Sequence, residues 1–471
     1  MRMYIGGEWI DAGERMDVTS PFDGSVVDVV PRAGAAEVER ALASASRGAP
    51  VMAALPAHER YRILDQAARL MEARLEELAR TITLEEGKAI AEARVEVQRS
   101  FQTLTLSAEE AKRLYGETLP LDAAPGGAGK IGFTLRVPCG VVVAISPFNF
   151  PLNLVCHKVG PALAAGNAVV IKPASDTPLS ALKLVEILLE AGLPPEGVQC
   201  ITGPGGELGR ALCADPRVRK ITFTGSRDVG EAICRIAGLK RVTMELGSNC
   251  PLIVMSDADL EKAAAATAAT GYVNAGQVCI STQRVLVQDH VYGDFLDALT
   301  PLVGAIPTGD PLDEGVKMGP MIRTADAERV AAWIGQAVAG GARVAVGGER
   351  SGNLHQPTVV ADVAPGMRVS CDELFGPAVA VTRFDDLSGA IALANDTRYG
   401  LAAGIFTENL RWAMDFARRV HSGNLHVNWG PGWRADLMPY GGLKESGMGK
   451  EGPRYAIHEM TELKTVVLHL G

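Results

Sequence analysis

Five short β-branched runs alternate with helical segments between residues 138 and 254, and this alternation limits the folds open to the chain. The predicted helices cover residues 179–192, 206–216 and 226–238. Buried runs joined by helices of this length are typical of βαβ units, so the segment predicts an α/β fold with a parallel sheet. The runs are GVVVAIS (140–146), NAVVIKP (167–173), GVQCITG (197–203), KITFTG (220–225) and RVTMEL (241–246).

The rest of the chain predicts further elements around this sheet. At 471 residues it is too long for one compact core, so two or three domains are expected. Apolar residues at three- and four-residue steps predict one helix from His58 to Lys88. Ser256 and Asp259 resemble a capping box for a helix that follows. Residues 119–137 predict a hairpin, and residues 461–470 predict a strand that pairs with it or with another subunit.

Charge and apolar runs exclude two kinds of partner. The formal charge of −9 is spread along the chain without a basic patch, so nucleic acid is not expected. Apolar stretches are broken by Pro, Asn and Gly, so a membrane span is not expected either. The eight cysteines lack CxxC or His/Cys ligand spacing, so no metal site is expected. Without a stretch resembling a signal peptide, the predicted location is cytoplasmic.

Two glycine-containing turns are candidates for phosphate binding. The stretch GPGGELG (203–209), which includes Gly205, is one residue too long for GxGxxG, and an ordinary strand-to-helix turn is the better explanation of it. At Gly225-Ser226 a strand enters a helix, where free backbone N–H groups could hold a pyrophosphate. A plain helix N-cap at Ser226 is the alternative and is compatible with phosphate binding.

Several motifs, in order along essentially the whole chain, resemble the NAD(P)-dependent aldehyde dehydrogenase superfamily. The interval from Glu245 to Cys279 also fits that family. The resemblance implies a Rossmann-like cofactor domain, a second α/β catalytic domain and a small β arm. The matching segments are Pro147-Phe-Asn-Phe-Pro151, Lys172-Pro-Ala, Phe223-Thr-Gly-Ser-x-x-Val-Gly230, Glu245-Leu-Gly, Gly276-Gln-Val-Cys279, Glu373-Leu-Phe-Gly-Pro377 and Pro439-Tyr-Gly-Gly-Leu-Lys-x-Ser-Gly447.

The resemblance assigns three catalytic roles. Cys279 is the nucleophile, and a thiolate adds readily to an aldehyde carbonyl. Asn149 and the Cys279 backbone N–H are donors to the resulting oxyanion. Glu245 is the base that activates water against the thioester. A buried structural cysteine, a turn asparagine and an ion-paired glutamate are the respective alternatives.

The resemblance also implies a site for NAD or NADP. Lys172 and Glu373 match positions that bind the cofactor riboses, and Phe375 packs on the nicotinamide side. Ser175 stands where NAD-selective relatives carry an acid, which leaves room for a 2′-phosphate. Ser248 replaces a usual glycine, with no consequence that the sequence alone defines. The full predicted cofactor set is Ser146, Pro147, Lys172, Ser175, Gly205, Gly225, Ser226, Val229, Leu246, Glu373 and Phe375.

The predicted substrate tunnel ends near one histidine and two arginines. His157 replaces a bulky aromatic of relatives that take long aldehydes, and Arg99 and Arg434 are candidates for the mouth. Such a tunnel suits a short polar or anionic aldehyde of the lactaldehyde, glyceraldehyde or phosphonoacetaldehyde type. A surface or structural role is the alternative for each charge. The full set is Arg99, Phe150, His157, Val278, Ile280 and Arg434.

Domains and rival functions complete the hypothesis. We assign 1–118 and 138–246 to dinucleotide binding, 247–440 to catalysis, and 119–137 with 455–471 to an oligomerisation arm of a homodimer or homotetramer. A coenzyme A-acylating enzyme of the same fold, a cofactor-free cysteine hydrolase and a non-catalytic scaffold remain alternatives. The presence of Glu245 argues against the acylating enzyme, and no motif supplies the histidine that a cysteine hydrolase needs. A non-catalytic scaffold would be expected to have lost the nucleophile or the base, and this chain retains both.

Overall fold

The computed structural model describes residues 1–470. Its strands are Met3–Ile5 (β1), Glu8–Ile10 (β2), Arg15–Thr19 (β3), Val26–Pro31 (β4), Thr118–Leu119 (β5), Lys130–Pro138 (β6), Val141–Ile145 (β7), Ala168–Lys172 (β8), Val198–Cys200 (β9), Val218–Thr224 (β10), Arg241–Glu245 (β11), Pro251–Val254 (β12), Arg284–Gln288 (β13), Arg343–Val346 (β14), Arg350–Ser351 (β15), Leu354–His355 (β16), Thr358–Ala361 (β17), Ala378–Phe384 (β18), Ala402–Phe406 (β19), Asn424–Val427 (β20), Gly447–Met448 (β21) and Thr461–His469 (β22). Its α-helices are Ala35–Ala54 (α1), Ala57–Ala73 (α2), Leu75–Glu86 (α3), Ile90–Ala111 (α4), Asn153–Ala164 (α5), Leu179–Glu190 (α6), Gly205–Ala214 (α7), Arg227–Ala237 (α8), Leu260–Gly271 (α9), Tyr292–Gly304 (α10), Thr324–Ala339 (α11), Arg368–Cys371 (α12), Leu387–Asn395 (α13), Leu410–Arg419 (α14) and Pro453–Glu459 (α15).

The five predicted runs form the centre of an eight-stranded sheet with the order β2-β1-β9-β8-β7-β10-β11-β21. The five central strands, β9 to β11, are parallel, which confirms the predicted α/β fold. Every residue of β7 and β8 is buried, as expected for strands covered by helices. Helices α1, α5, α6, α7 and α8 pack against this sheet.

A second sheet of seven strands has the order β14-β17-β18-β13-β12-β19-β20. Its six strands from β17 to β20 are parallel, and β14 is antiparallel at one edge. Its largest core cluster includes the buried rings of Tyr292, Phe295 and Trp333, contributed by α10 and α11. The chain is therefore built around two parallel sheets, each with its own core.

A small antiparallel sheet with the order β22-β6-β5 stands apart from both. Strand β6 pairs with β5 as a hairpin, and β22 pairs with β6 along its whole length. The predicted C-terminal strand thus joins the predicted hairpin within one chain. Among residues 1–470, no helix has both the length and the apolar character needed to cross a bilayer.

Two local predictions were wrong in detail. The helix predicted from His58 to Lys88 is two helices, α2 and α3, because Arg74 leaves helical geometry at φ −105° and ψ 22°. The cap of α9 is Asp259, whose carboxylate accepts a hydrogen bond from the Lys262 backbone N–H, 3.0 Å. Ser256 lies too far upstream, since a cap side chain must reach the free N–H groups of the first turn.

Candidate active site

The carboxyl ends of the central parallel strands meet at one edge of the first sheet. Strand β7 leads into Asn149, β8 ends at Lys172, β10 leads into Gly225, and β11 ends at Glu245. Open α/β sheets bind ligands at this edge. A cavity of about 1030 Å³ lies there, and all eleven residues of the predicted cofactor set line it.

The cavity wall has features that fit a dinucleotide. Ser226 precedes α8 without capping it through its side chain, which leaves the first N–H groups of the helix open to an anion. A β-carbon at Gly225 would lie 2.5 Å from the Phe223 ring, so the turn into α8 needs glycine where it passes this ring. The Ser146 hydroxyl is buried without a hydrogen-bond partner in the protein. The residues present therefore fit the cofactor that the motifs imply.

One end of the cavity presents a cationic surface. Lys172 Nζ donates to the Pro173 carbonyl, 2.7 Å, and burial lowers the pKa of Lys172 to about 8. Ser175 Oγ donates to the Gly203 carbonyl, 2.9 Å. Arg210 also lines the cavity, is exposed, and forms no ion pair within residues 1–470. Sequence reasoning missed Arg210, because a lone arginine on a helix carries no motif.

Glu373, predicted to bind a ribose, and Phe375, predicted on the nicotinamide side, also line this cavity. Glu373 Oε1 accepts the Ser248 backbone N–H, 2.8 Å, and burial raises the pKa of Glu373 to about 7. A β-carbon at Gly247 would clash with this carboxylate. Phe375 packs edge-on against Phe148, with ring centroids 6.0 Å apart.

Ser248, the departure from the family motif, does not line this large cavity. Its hydroxyl lies 3.1 Å from Cys250 Sγ, behind the wall that Glu373 forms. Its side chain instead lines a small neighbouring cavity together with Cys279 and Glu373.

The loop that carries Cys279 is held in an unusual conformation. Asn274, Ala275 and Gly276 have φ of 50°, 53° and 69°, three left-handed residues in succession. The Asn274 backbone N–H donates to Glu92 Oε2, 2.9 Å, and its side-chain amide donates to Glu86 Oε1, 2.6 Å. Such strain persists only where the surroundings fix the backbone, and it is typical of functional loops.

Cys279 lies where two cavities meet. It lines the 1030 Å³ cavity and a second one of about 360 Å³, which extends away from the sheet edge. Burial raises the pKa of the Cys279 thiol, whereas the hydrogen bond with the Tyr440 hydroxyl, with 3.1 Å between oxygen and sulfur, lowers it. The Cys279 side chain is therefore accessible from both cavities.

Asn149 is fixed beside this boundary. Its side-chain N–H donates to the Gln277 carbonyl, 2.8 Å, and its backbone carbonyl accepts from Lys88 Nζ, 2.7 Å. The amide oxygen is buried without a partner. Because the amide has two hydrogens and one is used, the other is free to donate to a developing oxyanion.

Glu245 reaches the large cavity as a buried, unpaired acid. Both of its carboxylate oxygens lack a hydrogen-bond partner. Burial, and then the charge of Glu451, raise the pKa of Glu245 well above its usual value. Burial also disfavours the charge of Glu451, yet Lys158 and Arg434 outweigh it and hold the pKa of Glu451 at about 2. A carboxyl poised in this way is suited to proton transfer near neutral pH.

Five residues of the predicted substrate set line the 360 Å³ cavity, and His157 does not. The five are Arg99, Phe150, Val278, Ile280 and Arg434. His157 is a correction: it lies on α5, every residue of which is buried. Its Nε2 is 2.8 Å from Asp436 Oδ1, and burial together with Arg434 lowers its pKa. The His157 ring is therefore favoured in its neutral form and supports the wall of the 360 Å³ cavity from outside the cavity.

Both cavity arginines are anchored by buried carboxylates. Arg99 donates through Nε and Nη2 to Asp436, at 3.1 and 2.7 Å. Arg434 Nη1 donates to Glu451 Oε2, 3.1 Å, while Arg434 Nε is buried without a partner. Lys88 and the exposed Lys317 also line the cavity.

The family model described as "Aldehyde dehydrogenase family" matches residues 9–466. The chain belongs to the aldehyde dehydrogenase family. It therefore oxidises an aldehyde to the carboxylic acid with a nicotinamide cofactor, NAD or NADP.

Known aldehyde dehydrogenases resemble the chain over its full length. A 3-sulfolactaldehyde dehydrogenase of Priestia megaterium is 47% identical over 468 residues, 99% of this chain and 98% of its own. The NADP-dependent glyceraldehyde-3-phosphate dehydrogenase from Bacillus halodurans C-125, solved with NADP, is 37% identical with a TM-score of 0.98. The match covers 100% of this chain and 99% of that enzyme. Aldehyde dehydrogenase 21 from Physcomitrella patens, solved with its reaction product succinate, is 37% identical with a TM-score of 0.97. The match covers 100% of this chain and 98% of that enzyme.

Several residues of this aldehyde dehydrogenase site escaped sequence reasoning. Asp436, Glu451, Lys158 and Tyr440 are buried around Glu245 and Cys279, but they come from distant parts of the chain. Tyr440 stands inside the quoted motif beginning at Pro439, which was the available signal.

Proposed function

We propose that this aldehyde dehydrogenase acts on a short aldehyde whose far end carries an anion, a carboxylate or sulfonate. Cys279 attacks the carbonyl, and the Asn149 amide with the Cys279 backbone N–H stabilises the thiohemiacetal oxygen. A nicotinamide cofactor held by the residues that line the large cavity would supply the hydride acceptor for this step. Glu245 then takes a proton from the water that hydrolyses the thioester on Cys279.

The observation that carries the substrate proposal is the pair Arg99 and Arg434 in the wall of the 360 Å³ cavity that Cys279 closes. Guanidinium groups with unused N–H donors bind carboxylate and sulfonate oxygens through charge-assisted hydrogen bonds. The named relatives support this. Sulfolactaldehyde carries a sulfonate, and the aldehyde that yields succinate carries a carboxylate.

The structure favours water over coenzyme A as the acceptor. Glu245 is an acid without a hydrogen-bond partner in the protein, and it lines the same cavity as Cys279. A general base is needed to activate water, whereas a thiol acceptor is a good nucleophile without one. We therefore assign the hydrolytic reaction to this chain.

The substrate proposal is tested by the kinetics of Arg99→Gln. With 3-sulfolactaldehyde or succinic semialdehyde, we expect kcat/KM to fall about 10- to 100-fold, mainly through KM, because a charge-assisted contact is lost. With neutral lactaldehyde we expect a change within about twofold. Asp436 keeps its contact with His157 in this variant.

The matched control is Arg94→Gln. Arg94 lies on the same helix, outside the cavity, in ion pairs with Glu76 and Glu314. This substitution should leave kcat/KM unchanged for all three aldehydes. A wild-type enzyme that prefers lactaldehyde or long aliphatic aldehydes to the anionic ones would refute the proposal.

We also propose that NADP is a good cofactor. Ser175, Lys172 and Arg210 line one end of the cofactor cavity, which offers a neutral side chain and two cations to a 2′-phosphate.

Ser175→Glu should therefore shift the cofactor preference of the enzyme from NADP towards NAD. We expect kcat/KM for NADP to fall roughly 100-fold through charge repulsion and loss of a donor, with NAD changed only a few-fold. Initial rates with each cofactor at saturating aldehyde measure this. An equal loss of kcat/KM for both cofactors would show that the 2′-phosphate of NADP does not bind beside Ser175.

The sheet of β22, β6 and β5 is proposed as the arm through which copies associate. Its exposed apolar side chains are Ile131, Leu135, Leu463, Val467 and Leu468, and the exposed Leu470 follows directly after β22. Ile131 and Leu468 are paired directly across β6 and β22, and exposed apolar side chains grouped in this way mark interaction surfaces. A homodimer or homotetramer would cover them.

A further inference from the structure

The hydroxyl of Tyr440 is the hydrogen-bond partner of the nucleophile. Its oxygen lies 3.1 Å from Cys279 Sγ. Within residues 1–470, no lysine or histidine nitrogen hydrogen-bonds to this sulfur. Cysteine nucleophiles that react near neutral pH need a nearby donor or positive charge. In this chain the tyrosine hydroxyl is the group placed to act in that way.

The tyrosine is rigidly held. Its backbone pairs with that of Glu451 in both directions, at 3.2 and 2.7 Å. Its ring is buried in a small cluster with Cys250, Ile280 and Leu401. A donor fixed in this way loses little entropy when its hydrogen bond strengthens.

A cation lies over the same ring. The Arg434 guanidinium carbon is 3.8 Å from the Tyr440 ring centroid, and Glu451 anchors the guanidinium from the other side. Burial raises the pKa of Tyr440, and a cation over the ring face offsets part of this effect because it stabilises negative charge on the phenol. The contact thus links the wall of the substrate cavity to the nucleophile.

We propose that Tyr440 is a catalytic residue whose hydroxyl donates a hydrogen bond to the Cys279 thiolate, both before attack and on departure. The thiol first loses its proton to water in the cavity, and the S–C bond forms as the carbonyl oxygen takes the electron pair. In hydrolysis the S–C bond breaks, and sulfur receives the pair while Tyr440 still donates to it. The inference rests on Cys279 as the nucleophile and is independent of the aldehyde.

The test is the pH dependence of Cys279 alkylation by iodoacetamide in the full-length enzyme with NADP bound, followed by peptide mass spectrometry. In Tyr440→Phe, which removes only the hydroxyl, we expect the midpoint to rise by about one pH unit. The alkylation rate below the midpoint should accordingly fall about tenfold. We also expect kcat to fall with KM little changed. Tyr115→Phe, at an exposed tyrosine, is the control and should match the wild type.

An alkylation profile of Tyr440→Phe that superimposes on that of the wild type would overturn the inference. Should this variant fail to fold, 3-fluorotyrosine placed at position 440 tests the same contact. Its more acidic hydroxyl should lower the midpoint, and an unchanged midpoint would equally overturn the inference. If Cys279→Ser leaves the alkylation rate of the whole protein unchanged, the nucleophile assignment fails instead, which separates the two claims.

Discussion

Cys279→Ala is expected to lower kcat for aldehyde oxidation by at least about 10⁴-fold and to abolish ester hydrolysis, since both need a covalent acyl-sulfur bond. Cys279 is the cysteine that lines both cavities, so no neighbouring thiol replaces it at the boundary. The measurement is the rate of reduced cofactor formation at saturating aldehyde, together with hydrolysis of a chromogenic ester without cofactor.

Cys139→Ala is the matched control. Cys139 is buried in the turn between β6 and β7 and lines neither cavity. This variant should retain the wild-type rates of both reactions. A Cys279→Ala enzyme that keeps a tenth of its dehydrogenase rate would contradict the covalent mechanism.

Glu245→Gln should separate the two halves of the reaction. We expect a first burst of reduced cofactor close to one equivalent per site, followed by turnover slowed about 10²- to 10⁴-fold, because water then lacks its base. The wild-type steady-state rate should rise with pH as Glu245 ionises, and its midpoint should lie above the usual range of a glutamate because the pKa is raised. This rising limb should disappear in the variant. Stopped-flow absorbance across pH measures both effects.

Glu207→Gln serves as its control, since Glu207 is exposed on α7 and lines neither cavity. Burst and turnover should both be unchanged in that variant. If Glu245→Gln loses the burst as fully as the turnover, Glu245 acts before the hydride leaves, and its assignment to hydrolysis is wrong.

Local sequence patterns predicted the parallel sheet well, because a strand buried on both faces has a continuous run of apolar residues in its sequence. They failed where one residue decides geometry. The periodicity of residues 58–88 continues through Arg74, and only the packed chain shows the break there. Ser256 and Asp259 are both good capping residues, and the position where α9 starts selects Asp259.

The candidate site shows the same division. Motifs located Asn149, Glu245 and Cys279, and the structure places all three on the 1030 Å³ cavity. Motifs could not show that His157 faces Asp436 and lies behind the cavity wall, since the distance in sequence between them is 279 residues. Ion pairs and hydrogen bonds between distant segments leave no periodic signal in a single sequence.

The most direct test of the account is intact-protein and peptide mass spectrometry of Glu245→Gln after mixing with NADP and succinic semialdehyde. A succinyl group on the peptide that contains Cys279, formed in step with the burst and absent without NADP, is the predicted result. A burst without any acyl group on Cys279, or with the acyl group on another residue, would contradict the claim that this sulfur holds the substrate while it is oxidised.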